Sequence, residues 1–279
     1  MHLQQAKPHA SLARWIHSYR QYTFTQSENG HFTSLPGTGA ELWLLDSGKL
    51  FNAGGLLGDG LLCLRNRRIE FRQLGLSVFA IRFRAGSLPF FTDRPPAQLI
   101  DHFTPVKALW DEASIQWLPA VHQSPNFDER CLLADRFLLS RLRTGTRLEH
   151  MQHLATVMYE EAAAFALTDY AEQLRRDRSH LSRQFHEIHG TSAKYFHRLC
   201  RFERFLRDAL FETTPSLAGL AIDHGYYDQA HMSNDVRELS QQSPRILLAL
   251  DETRLFYSRR NGIGNARASI AELRDDQAG

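Results

Sequence analysis

The sequence predicts an α+β chain in two parts: a small antiparallel β-barrel or sandwich with accompanying helices, then an all-α domain carrying two helix-turn-helix units. Three observations predict it. "LSVFAIRFRAG" (76–86) alternates, with Phe79, Ile81 and Phe83 on one face and Leu76, Val78 and Ala80 on the other, as a half-buried strand requires. From about Asp128 onward apolar residues recur at helical spacing. Two short stretches, "HLSRQFHEI" (180–188) and "HMSNDVREL" (231–239), then match at an offset of 51 residues, His180 with His231 and Ser182 with Ser233.

Taken in order, the first 145 residues read as the β-rich domain. Around "TGAELWLLDSGKLF" two apolar stretches flank Asp46-Ser47-Gly48, a turn signal. Glycines 54, 55, 58 and 60 punctuate short strands, and Pro95-Pro96 ends the sheet or begins a connecting loop. "FDERCLLADRFLLSRL" is a helix without Gly or Pro, either a dimer interface or packing between the two parts. Thr144-Gly145-Thr146 breaks it and marks the domain boundary. The second domain runs over 146–258, helical to about 257, followed by a polar tail, 259–279, expected to be mobile. Leu148, Met151, Leu154 and Met158 stripe its first helix. Asp169-x-x-Glu172 resembles a capping box, Asp177 caps the next helix and Gly190 closes it. Ser192 caps a long helix reaching about Phe211. Pro215 opens and Gly225 ends the following one, and Asp228 caps the last, with Met232, Val236 and Leu239 inward. The helix-turn-helix units span about 167–190 and 215–241.

Composition narrows the function. At 279 residues and 43% apolar the chain can bury real cores. The first thirty residues lack a basic head with a long apolar run, so no signal peptide is expected. Runs such as Leu42–Leu45 and Ile246–Leu250 are too short to span a bilayer, so no membrane role is expected. Cys63, Cys131 and Cys200 are odd in number and far apart, which fits a reducing cytoplasm. His186 and His189, and His150 and His153, are each one turn apart, but no Cys/His set has zinc spacing. No GxSxG, GxxxxGK or GxGxxG occurs. No enzyme activity, metal or cofactor is therefore predicted, and Cys200, in Leu199-Cys200-Arg201, reads as a packed thiol.

Net charge is only +2, but it is unevenly spread. Residues 175–207 hold nine basic and three acidic side chains, and residues 208–252 two basic and eight acidic ones. A helix-turn-helix buries one stripe of its second helix and presents the other to the major groove. With Leu181, Phe185 and Ile188 inward, Arg178, Ser179, Ser182, Arg183 and His186 face out, and in the second unit Gln229, Ala230, Ser233, Asn234 and Arg237 do. Arg can bridge guanine O6 and N7, and Gln or Asn adenine N6 and N7. The intervening helix, about 30 Å at 1.5 Å per residue, approaches the roughly 34 Å between successive major-groove faces.

From about Leu167 to Ile246 the sequence resembles the DNA-binding domain of AraC/XylS-type transcription regulators, through "LSRQFHEIHGTS", "LAIDHGYYDQAHMSND" and "QQSP". It departs from the usual pattern at Tyr226, Met232, Asn234 and Val236, and at Gln241, where a glycine is common. "IRFRAGSLPFF" with "LIDHFTPVKALW" resembles a barrel-like domain preceding this module in some members. The resemblance implies a DNA-binding regulator of transcription, an activator, with double-stranded DNA as partner, controlled by a small effector or by dimerisation of the N-terminal domain, with RNA polymerase and a second copy of the chain as further candidate partners. Phe32, Trp43, Phe79 and Phe83 either line an effector pocket or form plain core. The alternative is a ligand- or protein-binding module whose helical domain no longer holds DNA tightly, which the acidic second unit suggests.

Overall fold

The computed structural model describes residues 2–24, 29–112, 115–211 and 216–249. Pro215, Asp251, Glu252 and the tail 259–279 lie outside them. The N-terminal part is one curled antiparallel sheet: β1 (His2–Ala6), β2 (Ile16–Thr23), β3 (Asn29–Ser34), β4 (Glu41–Asn52), β5 (Gly55–Leu57), β6 (Gly60–Leu62), β7 (Ile69–Phe83) and β8 (Phe103–Pro105). The fifteen-residue β7 is its spine. It pairs with β2 and β3 along one edge, as in Tyr19↔Ile81 and Phe32↔Phe71, and with β4 along the other, as in Leu44↔Phe79.

Alternation along β7 sorts the apolar residues as expected. Phe79, Ile81 and Phe83 join Tyr19, Leu42 and Leu44 in the core that faces the helices. Leu76, Val78 and Ala80 join Tyr22, Phe32, Trp43 and Phe71 inside the curl. Phe32 and Trp43 therefore lie on one face of the sheet, where they line a small crevice with Tyr22, Phe24, Leu76 and Val78, and Phe79 and Phe83 lie in the core on the other. The inner set is closely packed, with Phe32 and Phe71 rings 5.3 Å apart and Trp43 and Phe71 rings 5.7 Å apart. The predicted turn at Asp46-Ser47-Gly48 is a correction: β4 runs straight through it. Two register shifts against β7 absorb the irregularity, with Gly48 at φ 78°. The turn signal was real, but β7 continues alongside and re-pairs Lys49 with Leu74 and Leu50 with Gln73.

The helices follow: α1 (Val106–Leu109), α2 (Leu118–Gln123), α3 (Phe127–Arg141), α4 (Thr146–Glu160), α5 (Leu167–Gln173), α6 (Arg178–His189), α7 (Ala193–Phe211), α8 (Leu217–Asp223), α9 (Gln229–Ser240) and α10 (Pro244–Ala249). α3 packs on the sheet, burying Cys131, Ala134 and Leu138, with Tyr19 Oη donating to Asp135 at 2.6 Å. The expected capping box at Asp169 is a second correction. α5 starts earlier, with Ala166 at its cap, and Asp169 lies in the first turn, where its charge still complements the helix dipole. Gly145 caps α4 in the break that sequence reading marked. Among the described residues no helix is long and apolar enough to cross a membrane.

One buried apolar cluster runs from Leu12 through Phe205 to Leu247, so sheet and helices share a core. Polar ties reinforce it. Thr38 Oγ1 donates to Glu203 Oε2 at 2.5 Å, and Tyr195 Oη to the Asn66 carbonyl at 3.1 Å, both joining α7 to the sheet domain.

Candidate nucleic-acid interface

The two predicted reading helices are α6 and α9, each twelve residues long. Their N-caps form alike: the Asp177 carboxylate accepts from His180 N–H and the Asp228 carboxylate from His231 N–H, both at 2.7 Å. Leu181 and Phe185 anchor α6 in the core, as Met232, Val236 and Leu239 anchor α9. Burying those stripes turns the predicted faces outward. Arg178, Ser179, Arg183 and His186 are exposed with Ser182 half-buried; Gln229, Ala230, Asn234 and Arg237 are exposed with Ser233 half-buried. On α9 the Arg237 guanidinium donates to Asn234 Oδ1 at 3.3 Å, which aligns the two side chains along one face.

Three further exposed residues flank these faces: Arg175 and Arg176 before α6, and Tyr227, 88% exposed, before α9. The apolar stripes mark out only residues within each helix, so these three fall outside the predicted faces, although Arg175 and Arg176 belong to the basic stretch 175–207. The turn of the second unit is one residue longer. Counted from the preceding helix, Arg176 N–H bonds the Ala171 carbonyl and Tyr226 N–H bonds the Ala221 carbonyl, an offset of 50; from the caps onward the offset is 51.

The repeat also reaches further back than the reading helices. Met151, Leu154, Ala155 and Met158 of α4 match Phe202, Phe205, Leu206 and Ala209 of α7 at the same offset of 51, and all are buried. Each unit is thus three helices, α4–α5–α6 and α7–α8–α9. The ion pair from first to third helix is duplicated with it: Arg147 with Glu187, and Arg198 with Glu238 at 2.7 Å.

This changes the electrostatic reading of the second unit. From its sequence position Asp235 is a surface acid beside Asn234, repelling phosphate. In the structure it is buried, accepting from Arg198 Nε at 2.5 Å and Tyr226 Oη at 3.0 Å. Burial opposes the charge on Arg198, but the hydrogen bonds it donates to Glu238 and Asp235 outweigh it and raise its pKa further. The same hydrogen bond lowers that of Glu238. Asp228 is occupied as a cap. The acidic count in this segment therefore overstates the negative charge offered to DNA.

The histidine and cysteine candidates resolve into packing. His189 is buried, its Nε2 3.2 Å from the Met151 carbonyl, and burial pulls its pKa down to about 4. His186, one turn away, points outward, so the pair does not converge on an ion, and His150 and His153 are both exposed. The Cys200 thiol is buried, and burial pushes its pKa well up, away from reactivity.

The helix-turn-helix geometry agrees with a family match. Residues 170–249, from within α5 to the end of α10, match a family model described as a helix-turn-helix domain, so the match includes both α6 and α9. No curated protein matches the chain. Among solved structures, ToxT from Vibrio cholerae aligns at 12% identity over 89% of this chain and 98% of that chain, with a TM-score of 0.46. The C-terminal domain of AraT, a response regulator from Geobacillus stearothermophilus, aligns at 20% identity over 37% and 84%, with a TM-score of 0.33. A DNA-binding transcriptional dual regulator from Escherichia coli K-12 aligns at 21% identity over 35% and 93%, with a TM-score of 0.32.

Proposed function

We propose that a chain whose residues 170–249 are an AraC-type helix-turn-helix domain works as a sequence-specific transcription regulator that places α6 and α9 in successive major grooves of one duplex. The observation that carries this reading is the duplicated three-helix unit, with its two exposed polar faces and one unbroken α7 between them. At nineteen residues α7 is about 28 Å long, close to the roughly 34 Å that two readers on one side of DNA must span. Arg178 and Arg183 supply guanine or phosphate contacts, and Gln229 and Asn234 are suited to adenine.

On this reading residues 1–145 regulate and residues 146–258 read DNA. A narrow crevice between the parts, lined by Thr38, Arg84, His189 and Phe196 among others, is where a small effector that opens it further would bear on sheet and helices together. The exposed Leu132 and Leu139 of α3 offer a face for a second copy of the chain.

The test is to map the DNA bound by the full chain across a genome and to titrate the recovered fragments at rising salt. A specific binder enriches a common sequence and loses affinity log-linearly through counterion release. Affinity without sequence preference, or no salt dependence, contradicts the reading.

A further inference from the structure

One cluster in the second unit has no equal in the first. Arg198, early in α7, donates through Nε to Asp235 at 2.5 Å and through Nη1 to Glu238 at 2.9 Å, with Nη2 ion-paired to the other Glu238 oxygen at 2.7 Å. The other oxygen of Asp235 accepts from Tyr226 Oη at 3.0 Å. One turn along α7, Arg201 donates to the Gly225 carbonyl at 3.1 Å, and its guanidinium lies 4.7 Å from the centre of the Tyr226 ring. Two arginines three residues apart on the spacer helix thus grip both α9 and the turn that leads into it.

At the corresponding places in the first unit stand Gln184 for Asp235 and the exposed His150 for Arg201. The remaining tie there, Arg147 to Glu187, joins two half-exposed side chains and contributes little. Arg198 and Asp235 are far less exposed, at 19% and 9%. A planar guanidinium with two directed hydrogen bonds and an ion pair fixes both the rotation of α9 and its position along α7. Buried networks of this kind specify a geometry more than they add stability.

The geometry points to Arg198 as a positioning residue for the second reader. It lies on the side of α9 away from Gln229, Asn234 and Arg237, and through Asp235 it sets the angle at which they meet the groove. It thereby sets the spacing between the two DNA segments that one chain reads. This rests on the DNA-reading function proposed above.

The test is selection from a random-sequence duplex library by the full chain, native and variant. The native chain is expected to select two segments about 10 base pairs apart at one fixed spacing. Arg198→Lys keeps the charge and loses the fork. It should select the same first segment, tolerate several spacings of the second, and bind the native-spaced duplex about tenfold more weakly. Glu238→Gln, at an exposed carboxylate that the fold does not need, should shift spacing the same way by about threefold in affinity. A merely structural role lowers stability without broadening the spacing. If both variants keep the native spacing and bind within twofold, the positioning role is overturned and DNA reading stands. If the native chain selects one segment only, α9 does not dock and the role is overturned with it. If it selects no sequence, the function itself is overturned.

Discussion

In the first helix-turn-helix unit the left-handed residue of the turn is Arg175, at φ 51°, and that of the reading helix's C-cap is Gly190, at φ 72°. In the second the assignment is reversed: Gly225 at φ 70° holds the turn and Gln241 at φ 59° the cap. The backbone needs the same two conformations in both units, and crowding decides which receives the glycine. A Cβ on Gly190 would meet the backbone of Pro96 and Ala97, and one on Gly225 the backbone of Ala163. Arg175 and Gln241 stand at exposed positions and accept the left-handed strain, about 1–2 kcal/mol for a residue with a Cβ. The first unit is pressed by its reading helix against the sheet domain. The second is pressed by its turn against the α4–α5 connection and gripped by α7. The units are alike in fold but are held differently.

The largest expected effect is at that crowded cap. Gly190→Ala combines the left-handed penalty with a backbone clash, a loss of about 2–4 kcal/mol in urea unfolding, while Gln241→Ala should change stability by less than about 0.5 kcal/mol. Equal losses at the two caps would break the comparison.

Next comes pH. His189 lies in the contact between α6 and the sheet domain, and its place in the second unit is taken by Ser240. With a folded pKa lowered to about 4, His189 is neutral in both folded and unfolded chain above pH 6.5. Between pH 6.5 and 4 only the unfolded chain takes up the proton. Stability should then fall by about 1.4 kcal/mol per pH unit, up to about 3 kcal/mol in all. His189→Asn should flatten that part of the profile, and an unchanged acid slope in this variant would place the titrating group elsewhere.

DNA binding sharpens the contrast on the groove side. Arg183→Ala should weaken binding by about 1–3 kcal/mol, since Arg178 and Arg183 are both exposed on the proposed DNA face of the first unit. A loss below about 0.5 kcal/mol in titration would show that the first unit does not dominate. Smaller still, Gln241→Gly relieves the cap strain but adds unfolded-state entropy, for a net gain of up to about 1 kcal/mol; a loss would mean the Gln241 side chain is needed at the cap. Finally, Asn234→Arg should steepen the salt dependence of non-specific binding by about one unit. Asp235 is turned inward onto Arg198 and Tyr226, so it should blunt the effect little. Random and selected DNA must both be measured, because weaker binding to selected DNA alone would mark Asn234 as an adenine reader.

What was legible in the sequence was local. Asp177, Asp228 and Gly190 act within a few residues of themselves, so their capping roles could be read directly, as could the alternation of β7. The Asp46-Ser47-Gly48 signal misled because a long partner strand, not the local chain, decides whether a chain turns or bulges. Asp235 misled because its partners Arg198 and Tyr226 come from another helix and a turn. The longer repeat was present as Arg147 with Glu187 and Arg198 with Glu238 at one offset. It stayed hidden because the helices carrying it keep burial and change identity, Met151 to Phe202 and Leu154 to Phe205. The role of Gly190 against Ala97 depends on a fold-level contact that no spacing announces.

The claim that both units read DNA, held at a fixed distance by α7, is tested most directly by footprinting the full chain on its selected duplex. Two protected major-groove segments about 10 base pairs apart on one face are the predicted result. A single short protected segment would contradict it, leaving α9 off the DNA.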